Sequence, residues 1–270
     1  MDALAAIDSW NALTAAAGAT RADGELGVHG PRDRELRWAS VTKLLTGLAA
    51  LVAVEEGTVD LDEPAGPEGS TVRHLLAHAS GLSPGEGPPL MPPERRRIYS
   101  NYGIELAAAR VAERAGMPFD EYLRAAVLDP LGLAGALHGS PAWAYRGPLD
   151  DLLKLARELL APTLVDAETL AEATTVQFPG LAGVLPSWGR MDPNDWGLAF
   201  ELRDAKSPHW TGTLASPRTF GHFGAAGAFL WVDPDAGIAL GVLTDKEFGE
   251  WAKDAWPALS DSVSSGAAKQ

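Results

Sequence analysis

The chain carries Trp38-Ala39-Ser40-Val41-Thr42-Lys43-Leu44-Leu45-Thr46 at the head of a hydrophobic segment that runs without proline to Glu56 and stops at Gly57. This pattern predicts a buried helix that begins at or near Ser40. Residues three apart share a helix face, so the Ser40 hydroxyl and the Lys43 amine can approach each other. Unpaired backbone N–H groups at a helix N-terminus favour a developing oxyanion. The segment therefore predicts an activated serine.

Hydrophobic periodicity and turn residues divide the rest of the chain into helices and strands. Helices are predicted at 3–17, 71–79 with Ser70 as N-cap, 101–115, 118–129, 149–160, 167–174 and 248–262. Strands are predicted at 19–29, as one strand or a hairpin turning at Asp23-Gly24, and at 196–202, 228–232 and 238–243.

Strands thus lie near both ends of the chain, and helices fill its middle. This order predicts an α+β fold, in which an antiparallel sheet is flanked by N- and C-terminal helices and carries an inserted helical lobe. We expect a single domain, 1–270, with an α/β lobe at about 1–58 and 190–270 and a helical lobe at about 59–189. A cleft between the lobes is the expected site.

Composition narrows the class of protein. The 270 residues carry a formal net charge of -14, which argues against nucleic acid or an anionic membrane surface as a partner. The absence of cysteine excludes a disulfide framework, a thiolate nucleophile and a Cys-based metal site. The start, Met1-Asp2-Ala3-Leu4, has no basic n-region and no unbroken apolar run, so no secretory signal is predicted. We therefore expect a cytoplasmic protein that does not act at a membrane.

A second group of polar residues, Tyr99-Ser100-Asn101, ends a proline-rich loop and begins a predicted helix. A phenol and a carboxamide on such a turn can point into one cleft, where Tyr99 would carry a proton and Asn101 would orient Lys43 or a substrate carbonyl. The structural alternative is that Asn101 only caps the helix and Tyr99 only packs.

A third group is Phe220-Gly221-His222-Phe223-Gly224-Ala225-Ala226-Gly227, where glycines would let an edge strand come close to a ligand. A lone histidine on a strand is more often structural than catalytic. Beside the Ser40 helix, however, this edge could supply a backbone N–H as the second oxyanion donor.

Two other polar patterns have simpler interpretations. Arg95-Arg96-Arg97 is predicted to be a solvated loop rim, with contact to a substrate anion as the alternative. His74 and His78 have the spacing of zinc ligands, but the residues between them lack the glutamate of a zinc protease, so no metal is expected.

Together the three groups resemble the serine β-lactamase and penicillin-binding-protein superfamily, nearest its class C β-lactamase, DD-peptidase and esterase branch. Four further segments are similar to that family: Glu56-Gly57 through Pro64, His74-Leu75-Leu76-Ala77-His78-Ala79-Ser80-Gly81-Leu82, Pro130-Leu131-Gly132-Leu133, and Gly221-His222 through Asp245. The resemblance implies a β-lactamase/DD-peptidase-like fold for the whole chain and no cofactor.

The resemblance also implies roles for individual residues. Ser40 would be the acylated nucleophile, Lys43 its base partner and Tyr99 the proton carrier to the leaving group. Asn101 would polarise or orient, and the backbone N–H groups of Ser40 and Ala225 would form the oxyanion hole.

One motif departs from the pattern of many β-lactamases. Where they carry Lys-Thr-Gly, this chain has His222-Phe223-Gly224, which removes a fixed cation and a hydroxyl that could hold a β-lactam carboxylate. We therefore expect a serine hydrolase of small-molecule esters or amides. The alternatives are a true β-lactamase or D-amino-acid peptidase, and a catalytically silent binding protein on the same fold.

Overall fold

The computed structural model describes residues 1–268 and contains eleven short to medium strands in that range. They are β1 (Ala15–Thr20), β2 (Glu25–His29), β3 (Leu36–Arg37), β4 (Ala136–Leu137), β5 (Tyr145–Gly147), β6 (Gly183–Leu185), β7 (Gly189–Met191), β8 (Glu201–Leu202), β9 (Phe220–Gly224), β10 (Ala228–Asp233) and β11 (Ile238–Thr244). Six of them form the main sheet in the order β2-β1-β11-β10-β9-β8.

The main sheet is antiparallel and joins the two ends of the chain. Strand β1 pairs with β11 in a register that places Ala15 opposite Thr244 and Thr20 opposite Ala239. The predicted α+β fold with strands from both chain ends is therefore confirmed. Of the two alternatives for 19–29, the hairpin is correct, because β1 and β2 pair across the turn at Asp23-Gly24.

Eight α-helices are assigned within residues 1–268. They are α1 (Thr42–Glu55), α2 (Val72–Leu76), α3 (Asn101–Ala115), α4 (Phe119–Leu123), α5 (Asp129–Leu131), α6 (Leu149–Leu160), α7 (Ala167–Ala173) and α8 (Glu250–Ala267). A π-helical turn, Arg124–Leu128, joins α4 to α5. No helix in this part of the chain combines the length and the apolarity needed to cross a bilayer.

Helix α1 lies at the centre of the molecule. Eleven of its fourteen residues are buried, including Lys43. It packs against α3, α4, the π-helical turn and strand β9. A helix that is apolar on nearly all sides must be enclosed in this way, and the enclosure fixes the position of its N-terminus.

The main sheet separates two hydrophobic layers. Along β10, Leu230 and Val232 face the layer that contains α1, whereas Phe229 and Trp231 face the layer formed by the two chain ends. This alternation follows from the two-residue period of a strand. The strand order places β9 next to the edge strand β8, and β9 also contacts α1 and the turn that precedes it.

The predicted helix at 3–17 is wrong in its second half. A 3-10 helix covers Asp2–Trp10 and ends at Asn11, which adopts the left-handed conformation at φ 53°. Residues 15–17 belong to β1 instead, whose small side chains give no clear period. Close packing against α6 explains why Gly18 of β1 is small, because a Cβ on Gly18 would lie 2.7 Å from the Leu153 side chain.

Other boundaries also differ from the predictions. Helix α2 is capped by Thr71 and not by Ser70. In the predicted strand 196–202 only Glu201–Leu202 is a strand. Helix α6, which we assigned to the helical lobe, packs on β1 and β11 because its apolar face covers the sheet. The division into two lobes otherwise stays a prediction.

Candidate active site

Ser40 lies in a tight 3-10 turn, Ala39–Val41, that leads directly into α1. The preceding strand β3 is held by β5, and Trp38 extends that attachment through hydrogen bonds from its backbone N–H to Tyr145 O at 3.1 Å and from its indole N–H to Gly147 O at 3.2 Å. Ala39 then adopts a φ of 46°, which is unfavourable for a residue with a Cβ. Strain of this kind is often found at functional turns.

Lys43 is fully buried one turn after Ser40. Its Nζ lies 3.1 Å from Ser40 Oγ, and it donates hydrogen bonds to Asn101 Oδ1 at 2.7 Å and to Ala142 O at 2.8 Å. Burial lowers the pKa of this amine well below its usual range, while the negative charge of Glu105 opposes that shift. A buried amine of this kind can exist without its proton at neutral pH.

The phenol of Tyr99 approaches Ser40 from the other side. Tyr99 Oη donates a hydrogen bond to Ser40 Oγ at 2.7 Å, and Lys43 Nζ lies 4.8 Å from the centre of the Tyr99 ring. Burial raises the pKa of Tyr99 above its usual value. The phenol therefore keeps its proton at neutral pH.

Asn101 is the first residue of α3, and its side chain is available because Ser100 caps the helix. Ser100 Oγ accepts the backbone N–H of Gly103 at 3.0 Å. The capping alternative for Asn101 is therefore wrong, and its amide contacts Lys43 instead.

The end of β9 touches the serine turn. A Cβ on Gly224 would lie 2.4 Å from Trp38 O and 3.0 Å from Ser40 N, so no larger residue fits. The next residue, Ala225, is exposed and its carbonyl accepts the N–H of Phe248 at 2.9 Å. The predicted oxyanion elements therefore lie side by side.

His222 lies two residues before this contact and is 2% exposed. Its Nδ1 is 2.7 Å from Phe223 O, which identifies Nδ1 as the protonated nitrogen, and its Nε2 has no partner among the described residues. Burial lowers the pKa of His222 to about 3, with a further contribution from Lys43. The imidazole is therefore neutral near pH 7 and supplies no cation.

Two residues that were not predicted to belong to the site enclose Tyr99. The ring of His78 lies 4.8 Å from the Tyr99 ring and that of Trp196 lies 5.7 Å away, while His222 completes the enclosure at 5.8 Å. His78 Nδ1 accepts the backbone N–H of Ser100 at 3.2 Å. Burial lowers the pKa of His78 far below its usual value, so Tyr99 is surrounded by neutral rings.

The loop that contacts Lys43 is also held in a way that the sequence did not predict. Ser140 Oγ donates a hydrogen bond to Glu105, and Thr46 Oγ1 donates to Pro141 O at 2.6 Å. Ser140–Ala142 is therefore attached to both α3 and α1. Glu105 follows Asn101 by four residues on α3, and that spacing is the signal by which it could have been found.

The prediction of a solvated rim at residues 95–97 is wrong for Arg97. This side chain is 1% exposed, and its guanidinium donates to four carbonyls. The acceptors are Asn194 O at 3.0 Å, Ala77 O at 2.6 Å, Gln177 O at 2.6 Å and Phe178 O at 3.0 Å. Arg95 and Arg96 are exposed, as predicted.

The histidine pair has separate structural contacts. His74 Nδ1 lies 2.8 Å from Thr71 Oγ1 and its Nε2 lies 3.0 Å from Glu94, whereas His78 faces Tyr99. Within residues 1–268, no group of three or more His, Asp or Glu side chains is arranged to hold a metal ion.

Comparisons with known proteins bear on the family and the fold of the chain. The family model described as Beta-lactamase matches residues 11–263. The structure of a β-lactamase from Mycobacterium bovis is 51% identical, with a TM-score of 0.97 over 98% of this chain and 99% of the other. No curated protein matches the chain.

More distant structures share the fold. A mutant simvastatin synthase from Aspergillus terreus is 17% identical, with a TM-score of 0.78 over 99% of this chain and 94% of the other. EstCE1, described as a hydrolase with promiscuous acyltransferase activity, is also 17% identical, with a TM-score of 0.80 over 96% of this chain and 95% of the other.

Proposed function

The chain belongs to the β-lactamase family, and from this premise we propose that it hydrolyses ester or amide bonds through an acyl-enzyme on Ser40. The observation that carries the proposal is the position of Ser40 Oγ, which lies 2.7 Å from Tyr99 Oη and 3.1 Å from the buried Lys43 Nζ. Nucleophilic catalysis requires a hydroxyl within hydrogen-bond reach of a base.

Burial favours the neutral form of Lys43, since it lowers the pKa of the amine, and the hydrogen bonds of Lys43 are compatible with that neutral amine as the base. Two of its neighbours, Asn101 Oδ1 and Ala142 O, can only accept hydrogen bonds. A neutral amine has two N–H groups, which these oxygens would use, and one lone pair, which would face Ser40 Oγ. Ser40 can then donate to Lys43 while it accepts from Tyr99, so every group is paired.

Acylation follows from this arrangement. Ser40 Oγ forms a bond to the substrate carbonyl carbon as its proton passes to Lys43 Nζ. The bond from that carbon to the leaving oxygen or nitrogen then breaks. The leaving group takes a proton from Tyr99 Oη, which regains one from the Lys43 ammonium, so the site ends as a neutral acyl-enzyme.

Water reverses these steps to release the acid. A water molecule attacks the acyl carbon and its proton passes to the Tyr99–Lys43 pair, which returns it to Ser40 Oγ as the acyl bond breaks. In both steps the negative carbonyl oxygen would lie between the backbone N–H groups of Ser40 and Ala225. The close contact between Gly224 and Ser40 supports this oxyanion hole.

An ester or amide without a carboxylate beside the scissile bond fits the site best. His222 is neutral near pH 7, because burial lowers its pKa to about 3, and offers such a carboxylate no charge. A β-lactamase activity is the second candidate, favoured by the 51% identical β-lactamase from Mycobacterium bovis. A cytoplasmic location stays a prediction.

Covalent labelling tests the proposal. The protein is incubated with a serine-directed fluorophosphonate and its intact mass is measured. We expect one adduct that Ser40→Ala abolishes and that Ser262→Ala, at an exposed serine of α8, leaves unchanged. A folded wild-type protein that forms no adduct and turns over no ester would support the silent binding protein instead.

A further inference from the structure

A cavity of about 490 Å³ lies beside Tyr99, which forms part of its lining. Its lining is mostly apolar, includes Leu90, Met91, Tyr99, Val184 and Pro186, and also contains Arg96 and Arg97. Its volume falls in the usual range for small-molecule sites, about 300–1,000 Å³. Tyr99 is shared between this cavity and the nucleophile, since its Oη touches Ser40 Oγ.

One wall of the cavity is the loop that carries Leu90 and Met91. The Leu90 N–H donates to Gly81 O at 2.9 Å. Gly81 has a φ of +80°, and a Cβ there would lie 2.0 Å from Met91 O. The proline-rich loop is therefore tightly attached at its end.

The other wall is the β6–β7 hairpin, which carries Val184 and Pro186. Its first strand lies against the chain that leads to Tyr99, because the Arg97 N–H donates to Ala182 O at 2.9 Å. A Cβ on Gly183 would be 2.4 Å from Arg97 O. The buried Arg97 guanidinium secures the same region through Asn194 O at 3.0 Å and Gln177 O at 2.6 Å.

Both walls present large apolar side chains to solvent. Leu90 is 60% exposed and Val184 is 50% exposed. Exposed apolar side chains that converge on one cavity mark a ligand site rather than random surface composition. The Arg97 guanidinium is already hydrogen-bonded to backbone carbonyls, so a ligand in this cavity need not be an anion.

The position of Tyr99 decides which part of an ester would enter the cavity. The phenol must reach the leaving oxygen in order to protonate it, so the leaving alcohol lies on the Tyr99 side of the scissile bond. A smaller cavity of about 220 Å³ borders Ala39 on the other side and is lined by Trp143, Arg37 and Arg146 among others. The two cavities thus differ in size, and the one beside Tyr99 is the larger.

We propose that the cavity between Leu90 and Val184 binds the apolar alcohol portion of the ester, so that the preferred substrates join a short acyl group to a larger uncharged alcohol. This inference rests on the proposed acyl-enzyme function and adds the substrate class. The alcohol leaves through the same cavity after it takes its proton from Tyr99.

A chain-length series in the alcohol tests the inference. The acetate esters of ethanol, butanol and hexanol have nearly equal chemical reactivity, so their kcat/KM values report binding of the alcohol. Full burial of one methylene changes affinity by roughly fourfold, and in this open cavity we expect hexyl acetate to exceed ethyl acetate by at least about tenfold. A matching series of p-nitrophenyl acetate, butyrate and hexanoate should show a smaller increase.

Matched variants locate the effect. Leu90→Ala combined with Val184→Ala should reduce the hexyl-to-ethyl ratio to within about threefold of unity, and the variant should fold because both side chains are exposed. Leu214→Ala, at a leucine that is 57% exposed and lies outside the cavity, should leave the ratio unchanged. An unchanged ratio in the double variant, or an increase found only in the acyl series, would overturn the inference and leave the proposed function intact.

A binding measurement separates the two proposals completely. Saturation-transfer NMR with 1-hexanol needs no catalysis and can use Ser40→Ala protein. We expect a signal that ethanol does not give, that the added Leu90→Ala and Val184→Ala changes abolish, and that Leu214→Ala preserves. Absence of the hexanol signal would refute the cavity assignment even in an inactive protein, whereas Ser40-independent ester turnover would refute only the proposed function.

Discussion

Lys43 Nζ donates a hydrogen bond to the carbonyl oxygen of Ala142 at 2.8 Å. This contact joins the central helix to a loop almost a hundred residues later in the chain, and the loop is held in turn by Glu105 and Thr46. Lys43 Nζ thus has three hydrogen-bonding neighbours. Two of them, Ala142 O and Asn101 Oδ1, hold the amine in place, and the third is Ser40 Oγ. The amine proposed as the base is therefore positioned by groups from two other segments of the chain.

The first prediction concerns that base. Lys43→Met should fold, because methionine suits a fully buried site, but should lose ester turnover by a factor on the order of 10³ or more. Steady-state kinetics with p-nitrophenyl acetate measure the loss, and circular dichroism checks the fold. Turnover within about tenfold of wild type would contradict the general-base role.

The second prediction uses the charge of Glu105. Activity needs the neutral amine, so kcat/KM should fall as pH drops through the pKa of Lys43, which burial lowers and Glu105 partly restores. Glu105→Gln removes the negative charge that favours the ammonium, so the pKa should decrease and the acid limb should move to lower pH. The measurement is the pH profile of kcat/KM.

Two controls accompany that profile. Glu113→Gln removes an exposed carboxylate of the same helix and should leave the limb in place. His222→Asn should also leave its position unchanged, since His222, with a pKa near 3, already lacks a charge above that pH. An acid limb that disappears in His222→Asn would assign the titration to the imidazole instead.

Tyr99 and Asn101 give the third prediction. Tyr99→Phe removes the hydroxyl that moves a proton, whereas Asn101→Ala removes one of the acceptors that orient Lys43. We expect the tyrosine variant to lose more kcat, because Tyr99 protonates the leaving group directly, whereas orientation of Lys43 affects proton transfer only indirectly. If the asparagine variant loses more, the two roles are exchanged.

The sequence predicted the elements whose signals are local. Helix α3 matches its predicted bounds because Ser100 caps it and Gly116, at φ 68°, ends it. The approach of Ser40 and Lys43 followed from helix spacing alone. The residues alone indicated that Tyr99 and Asn101 share a cleft, but the contact of Tyr99 with Ser40 was implied by the resemblance, since residues 59 positions apart come together through tertiary packing.

Packing also explains what could not be predicted. Arg97 belongs to an arginine triplet that resembles a solvated rim, and only the convergence of four distant carbonyls buries it. Strand β1 lacks a strand period because its residues are small, and at Gly18 a Cβ would lie 2.7 Å from the Leu153 side chain of α6. In each case the deciding partner lies far away in the chain.

The fourth prediction concerns the contact between β9 and the serine turn. Gly224→Ala would place a methyl group 2.4 Å from Trp38 O and 3.0 Å from Ser40 N, so the turn and the strand must separate. Loss of one oxyanion donor lowers kcat by about 10²–10³, and we expect a loss of that order. Gly85→Ala, where a Cβ meets no atom within 4 Å, is the matched control. Normal turnover in Gly224→Ala would exclude an oxyanion hole at this contact.

The last prediction concerns substrate preference, for which the 51% identical β-lactamase makes nitrocefin the appropriate competitor. β-Lactams carry a carboxylate near the scissile amide, and its recognition calls for a cation. His222 is neutral at working pH, and the guanidinium of Arg97 is occupied by four carbonyls. Arg37 and Arg146, which line the smaller cavity, pair with Glu247 and Glu35. Of the arginines that line these two cavities, Arg96 is therefore the candidate cation. An exposed arginine on a loop holds an anion weakly, because water screens its charge.

Short-chain p-nitrophenyl esters should therefore exceed nitrocefin in kcat/KM by at least roughly a hundredfold, a difference of about 2.7 kcal/mol in transition-state binding. Both substrates are assayed with the same preparation, and Ser40→Ala removes both activities if they share the nucleophile. Equal turnover of nitrocefin would contradict the preference. In that case Arg96→Ala and His222→Ala identify the residue that holds the carboxylate. Replacement of that residue will reduce nitrocefin turnover, while the neutral esters are still hydrolysed.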